Sequence, residues 1–593
     1  MKGFFGKILR IDVGSRTFQV EEIGGRVLSR LLGGKGLGSY LLLREVPAGI
    51  DPLGPHNKLI FTWGPLTGTV APGASRYGVY SKSPQTGLYG ESYAGGLVAA
   101  AMRRTGYDAV IIQGRADSPV WLEISGGEVV FHPAGAIWGQ DTYAASAAML
   151  QQVAVPDAQA VVIGPAGENR VAFACLENNN WRSAGRTGMG AVLGSKLVKG
   201  LVFHGQSPFS VFDETLLKDV VRQIRQQALG QPGVNTYRTY GTTVMVGVMN
   251  GARAFPAAYW RKGTLEQWQQ LSGDTFLQNF AVKPRACPNC FMACAKMVHM
   301  ESDRYGRVTI EGPEYETIFA FGGLCQIASL EDIIYINDLC DRLGLDTISA
   351  GNLVGLVMEA VRCGRLDYPL QYGDATGTVQ LLKDMAARRD LGGVLAQGIV
   401  VAARELGLED LAVHVKGLEP PGYDPRVLKG MGLAYATSTR GACHLRATFY
   451  KPELSGVIDP ATVEGKARLF IDYENRLTIF NTQIFCLFFR DLLGWPELSR
   501  LIHAATGVEY TQARLEKMAN EIITITRLFN AREGASKAMD TLPERFFAES
   551  INNGQNRLTR EELSFMVDEY YSLRGWQDDG YPLDQDLMEF LAT

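Results

Sequence analysis

The chain has 593 residues, 58 Lys plus Arg against 62 Asp plus Glu, and a formal net charge of -4. That length excludes a small binding module and calls for two to four domains. With 46% hydrophobic and 20% charged residues the chain is globular rather than disordered; its near-neutral charge gives no overall pull toward nucleic acid or anionic lipid.

Near the start, Lys7, Arg10 and Asp12 interrupt the apolar residues, so no signal-peptide core is expected there. Leu9, Ile11 and Val13 alternate with polar residues, Gly14-Ser15 gives a turn, and Phe18 and Val20 alternate again, which predicts a hairpin. Short apolar runs at 109–112 and 160–163 read as buried strands. From Asp213 the period changes to helical: Leu217, Val220, Val221 and Ile224 share a face, with Asp213 as N-cap and Gly230 as stop. Ser329 and Asp332 resemble a capping box for a helix that stops at Gly344, and Asp346 can cap the next, ending near Cys363-Gly364. The longest weakly polar run, 391–403, falls short of the roughly 18 to 20 residues that span a bilayer. Nine cysteines, odd in number and sparse, fit metal ligation in a reducing compartment better than a disulfide scaffold. A soluble, cytoplasmic protein with no membrane span is expected. Paired prolines in Gly417-Leu-Glu-Pro-Pro-Gly422 mark the best interior boundary. The expected fold is α+β: a Gly-rich β domain over 1–208, then mainly helical domains over 209–418 and 419–593.

The sharpest chemical signal is Cys287-Pro-Asn-Cys290-Phe-Met-Ala-Cys294. Its C-x2-C-x3-C spacing can turn three thiolates toward one centre and leaves one ligand to find, with Cys486 and His299 as candidates. Iron–sulfur, zinc and unliganded core thiols are all readings of such a run. The radical-SAM spacing is the reverse. Gly-rich segments at 33–38, 71–76 and 182–196 set bare backbone N–H groups beside Arg and Lys, which suits a phosphorylated cofactor, although turn glycines explain them as simply.

Taken together, Gly33 to Gly38, Ser75-Arg76, Ser81 to Gly87, Ala184-Gly-Arg186 through Gly194-Ser-Lys196, the cysteine triplet, Glu311 to Thr317, Asp341-Arg-Leu-Gly-Leu-Asp346 and Arg440-Gly-Ala-Cys-His-Leu445 resemble the tungsten-containing aldehyde ferredoxin oxidoreductases over nearly the whole chain. That resemblance implies a tungsten (or molybdenum) bis-pterin cradled by the β domain, one 4Fe-4S cluster, and a Mg ion bridging the pterin phosphates. It makes Cys287, Cys290, Cys294 and Cys486 the cluster ligands and sets Arg76 between cluster and pterin. Gly95, Arg182, Ala184, Gly185 and Arg186 join it as cofactor contacts, as do Asp341, Gly344, Leu345 and Asp346 of the first pterin motif. The second motif departs from pattern: Asn481 replaces Asp and Ile484 replaces Gly, leaving Asn481, Phe485 and Cys486. Thr187 likewise stands where Gly is common. Glu316, with Glu314 as a one-turn alternative, and His444 correspond to the family's catalytic carboxylate and imidazole; Cys325 is expected in core packing rather than as an extra metal ligand. The implied reaction oxidises a small aldehyde to a carboxylic acid and passes electrons to ferredoxin or to accessory iron–sulfur or flavin subunits in an oligomer. A benzoyl-CoA reductase-like catalytic subunit and a zinc-stapled scaffold are the competing readings.

Overall fold

The computed structural model describes residues 1–592. One six-stranded sheet takes Lys7–Asp12 (β1), Thr17–Glu22 (β2), Leu59–Thr62 (β3), Tyr77–Lys82 (β4), Tyr89–Ala94 (β5) and Ala109–Gln113 (β6) in the order β2-β1-β6-β3-β4-β5. A second takes Val120–Ile124 (β7), Val129–Pro133 (β8), Gln159–Val162 (β9), Leu176–Asn178 (β10), Arg182–Ala184 (β11) and Val198–Phe203 (β12) in the order β11-β10-β9-β12-β7-β8. The expected hairpin is present, with Lys7 opposite Glu22 and Asp12 opposite Thr17. Its turn is fixed by the Asp12 carboxylate, which accepts from the Gly14 and Ser15 N–H groups at 3.0 and 3.1 Å. Phe18 and Val20 stay 39% and 47% exposed, because β2 is the edge of its sheet.

Alternate residues explain how the first sheet is buried on both faces. Leu9, Phe61, Val110 and Ile112 point toward Leu122, Val161, Leu201 and Phe203 of the second sheet. Their neighbours Ile8, Ile60 and Ile111 pack instead on Leu37, Leu41, Ile479, Phe480, Ile522 and Ile525. Those residues belong to the helices Gly34–Glu45, Lys466–Gln483 and Gln512–Arg532. Continuous apolar strands follow from having no solvated face.

Several glycines read as candidate phosphate contacts serve close packing. A Cβ at Gly38 would stand 2.3 Å from the Tyr80 ring, and one at Gly190 would stand 2.1 Å from the Cys175 carbonyl oxygen. At Gly194 the clash is with the Gly167 carbonyl oxygen, 1.9 Å away. Backbone cannot swing aside, so Gly194→Ala is expected to destabilise the protein by about 1–3 kcal/mol, read as a lower urea midpoint; an unchanged midpoint would contradict this approach. Lys196 is likewise structural, its Nζ donating to the Asn57 carbonyl at 2.5 Å.

The remainder is mainly helical, as expected, and its caps fall where the side chains predict. Asp213 accepts from Leu216 N–H at the start of Glu214–Ala228. Ser329 accepts from Asp332 N–H at the start of Leu330–Leu343, but Asp332 turns its own carboxylate to Arg304 at 2.7 Å, so the capping box is half-formed. The sequence reading missed a three-stranded sheet, Ala281–Arg285 (β13), Ala295–Ser302 (β14) and Gly306–Glu311 (β15). One core joins Ile333 and Leu353 to Met431, Phe449 and Tyr570, so the division at 418 runs through shared packing. Among the described residues no helix is long and apolar enough to cross a membrane.

Candidate active site

The cysteine triplet occupies the loop between β13 and β14, whose ends are pinned by the Arg285–Ala295 pair. Within it, Cys290 N–H donates to the Cys287 carbonyl at 3.1 Å, and Asn289 and Ala293 take left-handed backbone, curling the chain tightly. Cys486 arrives from the far end of the Lys466–Gln483 helix, and its N–H is held by the Gly73 carbonyl at 2.9 Å. All four thiols line one cavity of about 380 Å³. Burial pushes the Cys290 thiol up to about 11, with Cys486 and Cys287 adding to the rise. Among the described residues no three His, Cys, Asp or Glu side chains are grouped to hold a single ion.

Both pterin-motif positions sit at helix ends of the same form. Gly344 is left-handed, and its N–H and that of Leu345 both donate to the Cys340 carbonyl, at 2.8 and 2.9 Å. Ile484 is left-handed too, and its N–H and that of Phe485 both reach the Phe480 carbonyl. The departure from glycine therefore leaves the backbone turn in place, at the usual expense of about 1–3 kcal/mol for a β-branched residue there. A Cβ at Gly34 would meet the Asn481 carbonyl oxygen at 2.2 Å, so this helix end abuts the Gly33–Gly38 segment.

Arg76, Arg182, Gly185, Arg186, Glu314, Glu316 and His444 line the same cavity as the four thiols. Gly95 adjoins it: a Cβ there would lie 3.7 Å from Arg76 Nη1, 3.7 Å from Cys287 Sγ and 3.8 Å from Arg182 Nη1. Asp346 touches it through Arg186, 3.4 Å away, while its carboxylate caps the Thr347–Arg362 helix. Asp341 is outside the lining, buried and hydrogen-bonded to Asn337 at 2.8 Å; burial and neighbouring Asp338 raise its carboxyl well above the usual range. Ala184, Leu345, Asn481 and Phe485 are buried behind the wall. Cys325 lies in the core, donating to the Gly351 carbonyl.

Glu314 and Glu316 are separated by environment. Glu314 is exposed and accepts from the Thr242 hydroxyl. Glu316 is 16% exposed and His444 is 11% exposed, with Glu316 Oε1 3.5 Å from His444 Nε2. Burial raises the Glu316 carboxyl to about 8 against a single backbone donor, Gly422 N–H at 3.0 Å. Burial, then Arg186 and Arg440, push His444 well below the usual imidazole range, so it is neutral. Glu316 Oε1 and His444 Nδ1 are buried with no hydrogen-bond partner. Tyr423 stacks on His444 with centroids 5.5 Å apart and on Tyr450 at 4.3 Å.

Arg440, Arg446, Cys443 and Glu419 had no role in the sequence reading. Arg440 donates to the Glu91 carbonyl at 2.7 Å and to Cys443 Sγ at 3.0 Å, and Arg446 pairs with the Glu91 carboxylate. Burial alone would raise Cys443, but Arg440 and Arg446 hold it down at about 7. The 417–422 loop, read as a boundary, is buried and supplies Glu419, which accepts from Ser349 and Gln85 at 2.6 and 2.8 Å. The signal available was that Arg440 and Arg446 flank His444. Six arginines (Arg76, Arg182, Arg186, Arg285, Arg440, Arg446) line the cavity with only two carboxylates, Glu314 and Glu316. Carboxylates just behind the wall answer four of them, Glu311 for Arg182 and Arg285, Asp346 for Arg186 and Glu91 for Arg446, so among the described residues Arg76 and Arg440 are the lining arginines with no carboxylate ion pair, suited to an anionic guest.

Residues 8–205 match the model of the aldehyde ferredoxin oxidoreductase N-terminal domain, and residues 219–590 that of domains 2 and 3. The chain belongs to the aldehyde ferredoxin oxidoreductase family. It is 34% identical to the tungsten-containing aldehyde ferredoxin oxidoreductases of Thermococcus kodakarensis and of Pyrococcus furiosus, each match covering 98% of this chain and 97% of the relative. It is 27% identical to an aliphatic sulfonate oxidoreductase, WOR-like subunit, of P. furiosus, covering 99% and 97%. The fold resembles the active-site complex BamBC of benzoyl-coenzyme A reductase, solved with 1,5-dienoyl-CoA, with a TM-score of 0.86 at 23% identity over 100% of this chain and 97% of that one. The α+β expectation, a β-sheet domain followed by a mostly helical region, holds.

Proposed function

We propose that this protein is a tungsten (or molybdenum) bis-pterin aldehyde oxidoreductase carrying one 4Fe-4S cluster. The observation that carries the reading is the single cavity onto which four cysteines, six arginines and the Glu316–His444 pair converge. The donor set fits the groups: four thiolates suit an iron–sulfur cube, and the buried Nε atoms of Arg440 and Arg446 lack protein partners, as expected of donors awaiting an anion. Cys287, Cys290, Cys294 and Cys486 would hold the cluster. Arg76 and Arg182 would stand beside it, and Arg186, Gly185 and Asp346 would border the pterin. A Mg ion would complete that cofactor set by offsetting phosphate charge. When bound, these groups supply the oxygen transfer and two-electron redox chemistry that no side chain offers.

The reaction takes aldehyde and water to carboxylic acid and releases two protons and two electrons. With its carboxyl near pH 8, Glu316 carries a proton below that pH and becomes a base above it, close to the working range where proton transfer is most effective. Neutral His444 turns Nε2 toward that carboxyl, 3.5 Å away, and leaves an unpartnered Nδ1–H to donate to the substrate carbonyl oxygen. Tyr315, Tyr423 and Tyr450 wall the cavity and exclude water from the pair. Electrons leave to ferredoxin or an accessory subunit, and we place the enzyme in the cytoplasm. The benzoyl-CoA reductase reading rests on likeness of fold alone.

Protein purified without oxygen is expected to contain tungsten or molybdenum with iron, and to reduce a viologen dye on addition of aldehydes but not of benzoyl-CoA. Zinc alone, or inertness toward both short aliphatic and aromatic aldehydes, would overturn the proposal.

A further inference from the structure

Cys290 lines two spaces. Besides the interior cavity it borders an outer groove of about 800 Å³ formed by the Glu214–Ala228 helix, the turn after it and the Pro232–Tyr240 helix. The groove is lined by Lys218, Arg222, Arg225 and Arg238 with no Asp or Glu, although the chain as a whole is net acidic. Lys218 and Arg222 pair with Glu214 and Asp219 on their own exposed helix face at 2.8 Å each. Such pairs are worth little and exchange readily. Among the described residues, no ion pair or hydrogen bond engages the side chains of the exposed Arg225 and Arg238. Between these cations stand Leu229, 80% exposed, and Val70, 37% exposed. An apolar centre ringed by charges of one sign is the anatomy of a protein interface that is steered by electrostatics.

We infer that this basic groove is the docking face for a small acidic iron–sulfur protein of the ferredoxin type, which takes electrons through the cluster edge at Cys290. The inference rests on the proposed function and adds the route out. In each encounter one electron leaves the enzyme's cluster, which is oxidised, and enters the partner's, which is reduced. No bond forms or breaks, and two encounters clear one aldehyde. Leu229 supplies apolar contact, and the four cations read the partner's carboxylates. Because the cations ring a groove bordered by a candidate cluster ligand, charge complementarity and the electron path select the same face.

The test compares holoenzyme with the Arg225→Glu/Arg238→Glu variant and with Leu229→Ala, using an acidic two-cluster ferredoxin as acceptor and methyl viologen as the small one. The double variant is expected to raise the KM for ferredoxin, and the Kd measured by calorimetry, by about tenfold or more. Its salt dependence should flatten and its viologen-linked rate should stay unchanged. Leu229→Ala should weaken ferredoxin binding without altering salt dependence. An unchanged ferredoxin KM and Kd in the double variant overturns the inference. So does heparin that binds the wild type as tightly as ferredoxin, since the groove would then attract any polyanion. If the wild type reduces no dye with any aldehyde, the functional reading falls, and the calorimetric comparison still decides the docking face.

Discussion

Replacing Cys486 by serine is expected to strip most of the bound iron and acid-labile sulfide from protein purified without oxygen, and to lower aldehyde-dependent dye reduction by at least about 100-fold. The reason is geometric. The triplet lies on one loop between β13 and β14, and the fourth thiol comes from a separate helix end whose backbone is tied to Gly73 in the β domain at 2.9 Å. An iron–sulfur cube prefers four thiolates, and the other soft ligand considered from spacing, His299, lies on β14, exposed and hydrogen-bonded to Thr309 at 3.0 Å. No nearby thiol can replace Cys486: Cys443 is engaged by Arg440 and Leu445 N–H, and Cys325 is sealed in the core. Cys363→Ser, at an exposed position, is the control and should keep full iron. Iron retained at wild-type level in Cys486→Ser would show that the fourth ligand lies elsewhere.

What the sequence disclosed follows the range of the forces involved. Asp213, Ser329 and Asp346 could be read as caps because a cap is a side chain bonding to backbone two or three residues on. The cysteine triplet was legible for the same reason, and the fourth cysteine only through resemblance, since nothing local ties residue 486 to residue 290. Longer-range causes were opaque. Gly194 is demanded by the Gly167 carbonyl and Gly190 by the Cys175 carbonyl, so the later glycines of a segment that looks like a phosphate cradle serve packing, while Gly185 and Arg186 line the cavity. The Pro-Pro loop looks like a linker by its backbone chemistry, yet Ser349, Gln85 and Arg186 draw it into the interior around Glu419. Arg186, Arg440 and Arg446 meet only in the folded chain, and without that meeting nothing in the residues marks Cys443 as unusually acidic. The β13–β15 sheet was missed because its strands carry few alternating apolar residues to set against the helical background, and β13 is mostly exposed.

Glu316→Gln is expected to lower the aldehyde turnover by about 10²- to 10⁴-fold, the usual contribution of a positioned proton-transfer group. The wild-type rate should rise as pH passes through about 8, and the variant should lose that rise. The same substitution has a consequence measurable without cofactor. Burial lifts the carboxyl from 4.5 to about 8, so between those values the folded protein holds a proton that the unfolded chain has released. Stability must then fall as pH rises: it is full below pH 4.5 and lost progressively up to about 8. The full shift corresponds to about 5 kcal/mol at most, at 1.36 kcal/mol per unit. Glutamine keeps the shape and the acceptor for Gly422 N–H but has no proton to lose. Urea unfolding of cofactor-free protein should therefore show Glu316→Gln gaining on the wild type as pH is raised. A difference between Glu316→Gln and wild type that stays flat across this range would mean that Glu316 is solvated and ionised, and the proton-holding pair with His444 would have to be abandoned.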